Sequence, residues 1–440
     1  MKGSLRGSRA RLVALRALEA IEGGAWPDRV LPAAEARLSD PRDRRFAHLL
    51  VMSTLRWQLA IDPLLVRALD PPLAELTPRA RAALRMAMSE VCVLGHPPAI
   101  AVSSVVSVLA HAASPRAGGL ANAVLRRVFR DGIPSLESRA SLPPWLVARW
   151  EQGYGEQICQ QILQKINHPA KPYLVALGGA QARRRLANEL EAQGVPCERS
   201  ARHPAGLRIL GGALPRNPST VTEGFVVLDE AAALVALLAT PSADGLVLDM
   251  AAAPGGKACL LAQASREGLV AIELIPSRAH RLARRLANCA FSAPTATILA
   301  SALAPPFAAE SFETVLLDAP CSGTGTLRRR PDKRMRLAES DIARCARTQR
   351  RLLRRAACLV APGGSLIYAV CSLEMAEGRD QIMAFLRAHS EFAIEDPVAW
   401  LSVENRDLIH GDPPMLCTAE ASGELEGFAA ARMRKKGLAP

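Results

Sequence analysis

Two short stretches of the chain place cysteines where side chains can do chemistry. The first, VLLDAPCSGTG, is an apolar run that stops at Asp318 and continues into a small-residue loop with Cys321. The second, LIYAVCSLEM, ends another apolar run at Cys371. Such runs are typical of strands buried on both faces, and ligands collect beyond the carboxyl ends of these strands in open α/β sheets. The sequence therefore predicts Asp318, Cys321 and Cys371 at one edge of a sheet.

Two thiols beside an acid suit chemistry on a pyrimidine ring. Carbon 5 of cytosine or uracil is a poor nucleophile until a thiolate adds to carbon 6 and makes carbon 5 enamine-like. A carboxylate such as Asp318 can hydrogen-bond the base edge and stabilise the charge that develops during addition. The alternative is that both cysteines are buried structural residues, which behave as small hydrophobes. Two thiols at two strand ends favour the chemical interpretation.

A third stretch, DMAAAPGGK, reads as a strand end, a small-residue turn and a helix start. Small residues let the backbone approach a ligand, and a helix N-terminus offers free N–H groups. It is not a P-loop, because Ala251 replaces the first glycine and Ala258 replaces the hydroxyl that binds Mg²⁺. Glu273 ends the next predicted strand, where an acid accepts hydrogen bonds from ribose hydroxyls. These features favour a nucleoside cofactor without a pyrophosphate, such as S-adenosylmethionine, over a turn that binds nothing.

Composition limits the class of protein. The 440 residues allow two or three domains, and 55 Lys and Arg against 42 Asp and Glu leave a formal charge of +13. Such a basic chain either binds a polyanion or carries a solvated cationic surface. The ten cysteines form no CxxC pair and no zinc-like cluster with histidine, so no metal is expected. No apolar segment approaches the roughly 18 residues of a membrane span, and we expect a reduced, cytoplasmic protein.

Residue periodicity predicts four regions along the chain. We expect an all-α domain over 1–135, a linker helix over 136–170, a small α/β subdomain over 171–240 and a doubly wound parallel sheet over 241–440. In the first region, helices are predicted separately over Arg45–Leu59 and Pro63–Leu69, and a helix over Phe225–Leu238 leads to the last region. The strands predicted there are Leu246–Met250, Leu269–Glu273, Thr297–Ala300, Thr314–Leu317 and Ser365–Val370. The helices between them are Lys257–Ala264, Pro276–Cys289, Ala338–Leu359 and Glu377–Arg387.

The motifs together resemble one known family. DMAAAPGGK, LLDAPCSGTG with the following RRRPD, APGG and YAVCS match the RsmB/NOP (Sun) family in order and spacing, and GLANAVLRRVF resembles the last helix of the NusB-like RNA-binding fold. The resemblance implies a Rossmann-like class I methyltransferase domain, a small α/β subdomain and an all-α NusB-like domain. It also implies S-adenosylmethionine-dependent methylation of cytosine carbon 5 in RNA, with 16S ribosomal RNA as the expected substrate. Transfer RNA, or a catalytically silent RNA-binding assembly factor, remains an alternative.

The resemblance also assigns roles to individual residues. By this resemblance Cys371 is the nucleophile, and Cys321 helps to release the product. The cofactor pocket is expected to be lined by Ala251, Ala252, Ala253, Pro254, Gly255, Gly256, Lys257, Glu273, Ser301 and Asp318. Ser301 stands where the family has an acid, so weaker cofactor binding is expected. We expect a monomer whose partner is RNA, with no metal and no membrane.

A basic region follows the first cysteine loop. Residues 328–355 contain twelve Lys and Arg against three acids, a net charge of +9. Within it Arg344, Arg347, Arg351, Arg354 and Arg355 share one face of a predicted helix. The region is therefore predicted to contact RNA phosphates, with a solvated face as the alternative.

Overall fold

The computed structural model describes residues 7–70, 72–211, 224–419 and 425–437 of the chain. These residues form two compact units, and each unit takes more than one segment of the chain. The first unit takes the described part of residues 1–149 together with Leu163–His168 and Leu327–Leu337. The second takes Trp150–Ile162, the described part of residues 169–326 and the described part of residues 338–440. The domain boundaries given above stay a prediction.

The first unit is a helical bundle. Proline begins five of its six longer helices, where the missing N–H costs nothing, and Asp40, Thr77 and Ser114 cap three helices through side-chain oxygens that accept backbone N–H groups. Their apolar faces meet in one core that includes Leu15, Leu50 and Leu84. The helices are α1 (Ser8–Glu22), α2 (Pro27–Glu35), α3 (Pro41–Ala68), α4 (Pro78–Cys92), α5 (Pro98–Ala112) and α6 (Pro115–Val128).

Helix α3 differs from the sequence-based expectation in two ways. The two helices predicted over Arg45–Leu59 and Pro63–Leu69 are one helix, with Pro63 inside it. Its 28 residues also make it long and apolar enough to cross a membrane by length and composition, which the sequence analysis did not anticipate. Half of the apolar window is buried, and Leu50, Leu55 and Leu65 pack in the core of the bundle. A core helix meets the same criterion, so this packing accounts for its hydropathy.

Arg334 ties the three segments of the first unit together. Its side chain is 1% exposed and donates to the backbone oxygen of Arg56 at 2.7 Å, to Oδ1 of Asn167 at 2.7 Å and to the backbone oxygen of Ile166 at 2.8 Å. It also donates to Oγ of Ser141 at 3.0 Å. A buried guanidinium is costly unless its donors are satisfied, and here oxygens from the other two segments accept from its two terminal nitrogens.

The second unit begins with a small α/β layer. Helix α7 (Pro144–Lys165), which is kinked at Gly155, contributes Trp150–Ile162 to this unit. The antiparallel strands that follow are β1 (Tyr173–Ala176), β2 (Cys197–Arg199), β3 (Gly206–Ile209) and β4 (Phe225–Val227), with α8 (Gly179–Ala192) packed on them. Residues 212–223 of the predicted subdomain lie outside the described residues. The helix predicted over Phe225–Leu238 was wrong in its first part. Phe225–Val227 pairs with β1 as β4, and α9 (Glu230–Leu238) begins only after Asp229, whose side chain caps it.

The largest sheet carries the predicted chemistry. Its central strands are parallel: β5 (Val247–Asp249), β6 (Leu269–Glu273), β7 (Thr295–Leu299), β8 (Phe312–Asp318) and β9 (Val360–Val370). Each predicted strand is present, although β7, β8 and β9 begin earlier in the chain than predicted. The sequence analysis missed an antiparallel edge formed by β10 (Phe392–Ile394), β11 (Ile409–His410), β12 (Met415–Cys417) and β13 (Ala429–Lys435).

Helices cover both faces of this sheet. Strand residues alternate between two apolar clusters, so that Leu316 and Ile367 pack on one side and Leu317 and Tyr368 on the other. The helices on the sheet are α10 (Gly256–Ala264), α11 (Pro276–Ala287), α13 (Glu339–Leu359) and α14 (Arg379–Ala388). The short helix α12 (Lys333–Arg336) belongs to the first unit. The predicted α/β class is confirmed, as a mixed sheet with a parallel centre. Loops that follow β5, β6, β8 and β9 therefore meet at one edge.

Candidate active site

The two cysteines lie together at the carboxyl edge of the sheet. β8 ends at Asp318 and β9 ends one residue before Cys371, and these strands are parallel neighbours. The Sγ atoms of Cys321 and Cys371 are 3.3 Å apart, and both side chains are half-buried. The structure thus brings together the three residues that the strand pattern placed at one edge. Their chemical roles stay predictions.

A buried carboxylate, which the sequence analysis missed, connects the two cysteine loops. Glu377 is fully buried and accepts hydrogen bonds from the backbone N–H of Ser322 at 2.9 Å and from Oγ of Ser372 at 2.5 Å. It also accepts from Oγ of Ser322 and from Nε2 of Gln349, the latter at 3.1 Å. The only signal in the sequence is an acid six residues after Cys371.

Charges around the thiols distinguish Cys321 from Cys371. The hydrogen bond with Cys371 and burial raise the pKa of Cys321 well above its ordinary value, and the negative charges of Glu377 and Asp318 add to the rise. Lys257 donates to Oδ2 of Asp318 at 2.8 Å. Burial lowers the pKa of Lys257, but Asp318 and the nearby Cys371 outweigh that effect and raise it overall. The ammonium of Lys257 therefore stays charged beside Cys371.

The loop after β5 is built for close approach of its backbone. Gly255 has φ of 102°, and a Cβ there would lie 2.9 Å from Cδ1 of Leu282, so this position requires glycine. α10 begins at the next residue, Gly256, and its N-terminal N–H groups face the same edge as the ends of the parallel strands. The loop residues Ala251, Ala252, Ala253 and Pro254 lie between Asp249 and this helix.

The ends of β6 and β7 complete the cofactor side of the edge. Glu273 is 8% exposed, and its Oε1 accepts from the backbone N–H of Ile275 at 2.8 Å. Leu299 lies opposite Glu273 in the strand register and is 55% exposed, and Leu274 is 65% exposed. Oγ of Ser301 accepts from the backbone N–H of Leu303 at 3.2 Å. The predicted cofactor residues thus share one edge with a buried acid and two exposed leucines.

Asp249 is a second deeply buried acid of this edge. Its side chain is enclosed at the end of β5, and its Oδ1 accepts one backbone N–H, from Ala251 at 3.3 Å. Burial, reinforced by the negative charge of Asp318, raises the pKa of Asp249 to about 7. Asp318 is therefore paired with a lysine, whereas the pKa of Asp249 lies near neutrality.

The basic region does not form one surface, which corrects the sequence-based expectation. Arg328 and Arg334 are buried in the first unit, where they donate to backbone oxygens. Buried side chains of this kind are unavailable to RNA. The part of the region on α13, in the second unit, is exposed: Arg344, Arg347, Arg350, Arg351, Arg354 and Arg355. Arg344 pairs with Asp341 at 2.6 Å, and the remaining five form an exposed basic face.

The structure does not test the predictions about metal binding and oligomeric state. Among the residues that the structure describes, no group of three or more His, Cys, Asp or Glu could hold a metal ion. The expectations of no metal, a monomer and a cytoplasmic location stay predictions.

Family models match three regions of the chain. Residues 235–431 match the model of the 16S rRNA methyltransferase RsmB/F. Residues 8–130 match the NusB family, and residues 142–213 match the ferredoxin-like domain of RsmF/B-like methyltransferases. The NusB-like assignment made from GLANAVLRRVF is therefore confirmed.

Similar proteins agree with these models over most of the chain. The Ribosomal RNA small subunit methyltransferase B of Xylella fastidiosa is 32% identical over 391 residues, which cover 88% of this chain and 90% of that protein. The crystal structure of PH0851 superposes with a TM-score of 0.78 at 24% identity, covering 97% of this chain and 99% of that one. The crystal structure of NSun6 from Pyrococcus horikoshii with SFG has a TM-score of 0.53 at 19% identity, covering 67% and 98%. The chain belongs to the 16S rRNA methyltransferase RsmB/F family and is an RNA methyltransferase.

Proposed function

We propose that this chain methylates carbon 5 of a cytosine in 16S ribosomal RNA, with S-adenosylmethionine as methyl donor and Cys371 as covalent nucleophile. The observation that carries the proposal is the 3.3 Å separation of the Cys321 and Cys371 Sγ atoms at the strand ends that also bear Asp318. Two thiols so close together can act in turn on one ring. The 16S substrate is inferred from relatives named Ribosomal RNA small subunit methyltransferase B.

The residues of the cofactor side fit S-adenosylmethionine. Exposed Leu274 and Leu299 offer apolar surface to an adenine ring, and Glu273 beside them offers a carboxylate to ribose hydroxyls. The loop from Ala251 to Gly256 leaves room for a ligand against the backbone, and Lys257 is engaged by Asp318 rather than free to bind phosphates. SFG in NSun6 is an analogue of the same cofactor. When bound, S-adenosylmethionine supplies a methyl group on a sulfonium.

The reaction divides between the thiols as follows. Cys371, favoured as a thiolate by Lys257, forms a bond from Sγ to carbon 6 of the cytosine, and the ring electrons move to carbon 5. Asp318 hydrogen-bonds the edge of the base, and its ion pair with Lys257 fixes its orientation. After carbon 5 carries the methyl group, loss of its proton to a base expels Cys371 from carbon 6. Cys321, 3.3 Å away, assists that release.

Recognition of RNA is assigned to the exposed basic face of α13. Gln349 on this helix donates to the backbone oxygen of Pro320 at 3.1 Å, so the helix is packed directly against the first cysteine loop. Phosphate contacts from Arg347, Arg351 and Arg354 would therefore hold RNA beside the thiols. The target cytosine must be unpaired or flipped out of its helix to reach the cysteines.

Bisulfite sequencing of total RNA tests the proposal directly. RNA from a deletion strain is compared with RNA from the same strain carrying the wild-type gene or Cys371→Ala. We expect one 16S cytosine to resist conversion only when the wild-type gene is present. A protected cytosine in transfer RNA would replace the substrate, and no change at any cytosine would favour a silent assembly factor.

A further inference from the structure

The position of Glu377 suggests a role beyond those that the family motifs assign. It lies near the end of the loop that begins with Cys371, two residues before α14, and its carboxylate is fully enclosed. Its four hydrogen-bond donors are the N–H and hydroxyl of Ser322, the hydroxyl of Ser372 and the amide of Gln349. Ser322 and Ser372 are the residues that directly follow Cys321 and Cys371. One carboxylate thus holds the residue after each thiol.

Further contacts make this connection rigid. Oγ of Ser322 lies 3.2 Å from Oγ of Ser372, and Oγ1 of Thr324 lies 3.1 Å from the same Ser372 oxygen. The hydroxyl of Tyr368, on β9, donates to the backbone oxygen of Glu377 at 2.6 Å, which fixes the main chain as well. Gln349 connects the carboxylate to α13. The Glu377 carboxylate and the two serine hydroxyls are all hydrogen-bonded in this buried network, so displacing them would leave polar groups unpaired.

The negative charge of the Glu377 carboxylate also raises the pKa values of nearby thiols. Its charge is among the influences that raise the pKa of Cys321. Burial, followed by Glu377, raises the pKa of Cys345 on α13 to about 11. Every neighbour of the carboxylate is a donor, so the group functions as an acceptor.

We propose that Glu377 is a positioning residue for methyl transfer, which holds the loops after β8 and β9 together so that both thiols reach the same cytosine. The inference rests on the proposed covalent chemistry. Reacting groups displaced by about 1 Å can lose on the order of a hundredfold in rate. Because Glu377 touches neither thiol directly through the contacts described, its effect passes through Ser322 and Ser372.

The first test measures the proximity of the thiols without RNA or cofactor. Diamide oxidises two neighbouring thiols to a disulfide while its N=N bond takes up both hydrogens and becomes a hydrazine. In the full-length wild-type protein we expect a disulfide to form rapidly between Cys321 and Cys371. Peptide mapping by mass spectrometry measures this closure. In Glu377→Ala closure should slow at least tenfold. In Glu377→Gln, which keeps one acceptor but adds a donor facing other donors, it should slow to an intermediate degree.

A matched control separates this role from general loss of a buried acid. Glu374 is also buried in the loop after Cys371, but its Oε1 accepts from Nε1 of Trp150 at 3.0 Å. Glu374→Gln retains that acceptor, so Cys321 and Cys371 should form their disulfide at the wild-type rate in this variant. In methylation assays, kcat of Glu377→Ala should fall about a hundredfold, with little change in KM for S-adenosylmethionine.

The outcomes distinguish this inference from the proposed function. Wild-type closure rates in both Glu377 variants would overturn the positioning role, whatever the protein methylates. If Glu377→Ala does not fold, Glu377→Gln decides alone by the same criterion. If disulfide closure is slower in the Glu377 variants but the wild-type protein methylates no cytosine, the proposed function is overturned. The role of Glu377 in connecting the two loops would then still hold.

Discussion

The two halves of the sheet edge differ in how complete they are in the protein alone. At the ends of β8 and β9 the serine hydroxyls and the Glu377 carboxylate are enclosed and hydrogen-bonded to one another, and the two half-buried thiols lie 3.3 Å apart. At the ends of β6 and β7 two leucines, Leu274 and Leu299, are more than half exposed, and Ser301 bonds only within its own turn among the contacts described. The cysteine half is therefore preorganised for chemistry, whereas the cofactor half offers surface that a ligand would cover.

This difference indicates where the chain tolerates change. A preorganised network loses function through small displacements, because its geometry is the source of the rate. An open half contributes affinity contact by contact, so a substitution there changes binding by the value of one hydrogen bond. Ser301, which stands where the family has an acid, lies in the open half.

The largest effect is expected from replacing the cysteines one at a time. Cys371→Ala should abolish methylation and form no covalent complex, because no thiol remains to attack carbon 6. Cys321→Ala should still attack and transfer the methyl group, but release should stall and RNA-linked protein should accumulate. Denaturing gel electrophoresis with labelled RNA measures both. An adduct in Cys371→Ala and none in Cys321→Ala would reverse the two roles.

RNA binding should depend on the basic face that packs beside the cysteine half. The triple variant Arg347→Ala, Arg351→Ala and Arg354→Ala should weaken RNA binding and lower the slope of log K against log salt by about two to three, since each phosphate contact contributes slightly less than one ion. Filter binding at several salt concentrations measures the slope. S-adenosylmethionine affinity should not change. An unaltered slope would mean that the face is merely solvated.

Cofactor affinity should respond to Ser301 alone. Ser301→Asp restores an acid at the end of β7, and one charge-assisted hydrogen bond is worth roughly 1.5–3 kcal/mol, so binding should tighten by about tenfold or more. Isothermal titration calorimetry of the purified protein measures the change. RNA affinity should stay the same, because the substitution lies in the other half of the edge. Unchanged or weaker cofactor binding would remove Ser301 from the pocket.

The smallest effect concerns stability and pH. The pKa of Asp249 is raised to about 7 in the folded protein, so the acid contributes stability at low pH that is lost as pH rises through 7. Asp249→Asn cannot ionise and should therefore melt at a higher temperature than the wild type at pH 8, with little difference at pH 4. Differential scanning calorimetry without ligand measures both. An equal gain at both pH values would contradict a buried charge as its cause.

The sequence predicts the parallel centre of the sheet better than its edge. Apolar runs that stop at Asp318 and before Cys371 mark strand ends, because burial on both faces selects continuous hydrophobic residues. β13 was missed because Arg432 interrupts its apolar pattern. In the structure Arg432 is fully buried, donating to the backbone oxygen of Leu238 at 2.9 Å and pairing with Glu395 at 2.8 Å. The sequence around a charged residue does not show which distant groups will pair with it when it is buried.

The candidate site shows the same limit. Each cysteine could be placed from its own strand, but the function of Glu377 depends on three segments, and none of its partners is predictable from local pattern. Counting charges over residues 328–355 was wrong for Arg328 and Arg334, because burial removes them from the surface that the count describes. Local periodicity predicts elements, whereas contacts between distant segments decide what a side chain does.

The hydrogen bonds of Arg334 have a consequence for synthesis of the chain. During translation the helices α1 to α6 leave the ribosome first, yet the side chain that joins Arg56 to Asn167 is 278 and 167 residues further along than these two partners. Until Arg334 has been synthesised, the oxygens that accept its hydrogen bonds can bond only to water. A long segment of chain must then close to bring Arg334 to them. The N-terminal bundle of this protein therefore begins to fold early but reaches its final form only after most of the second unit has been synthesised.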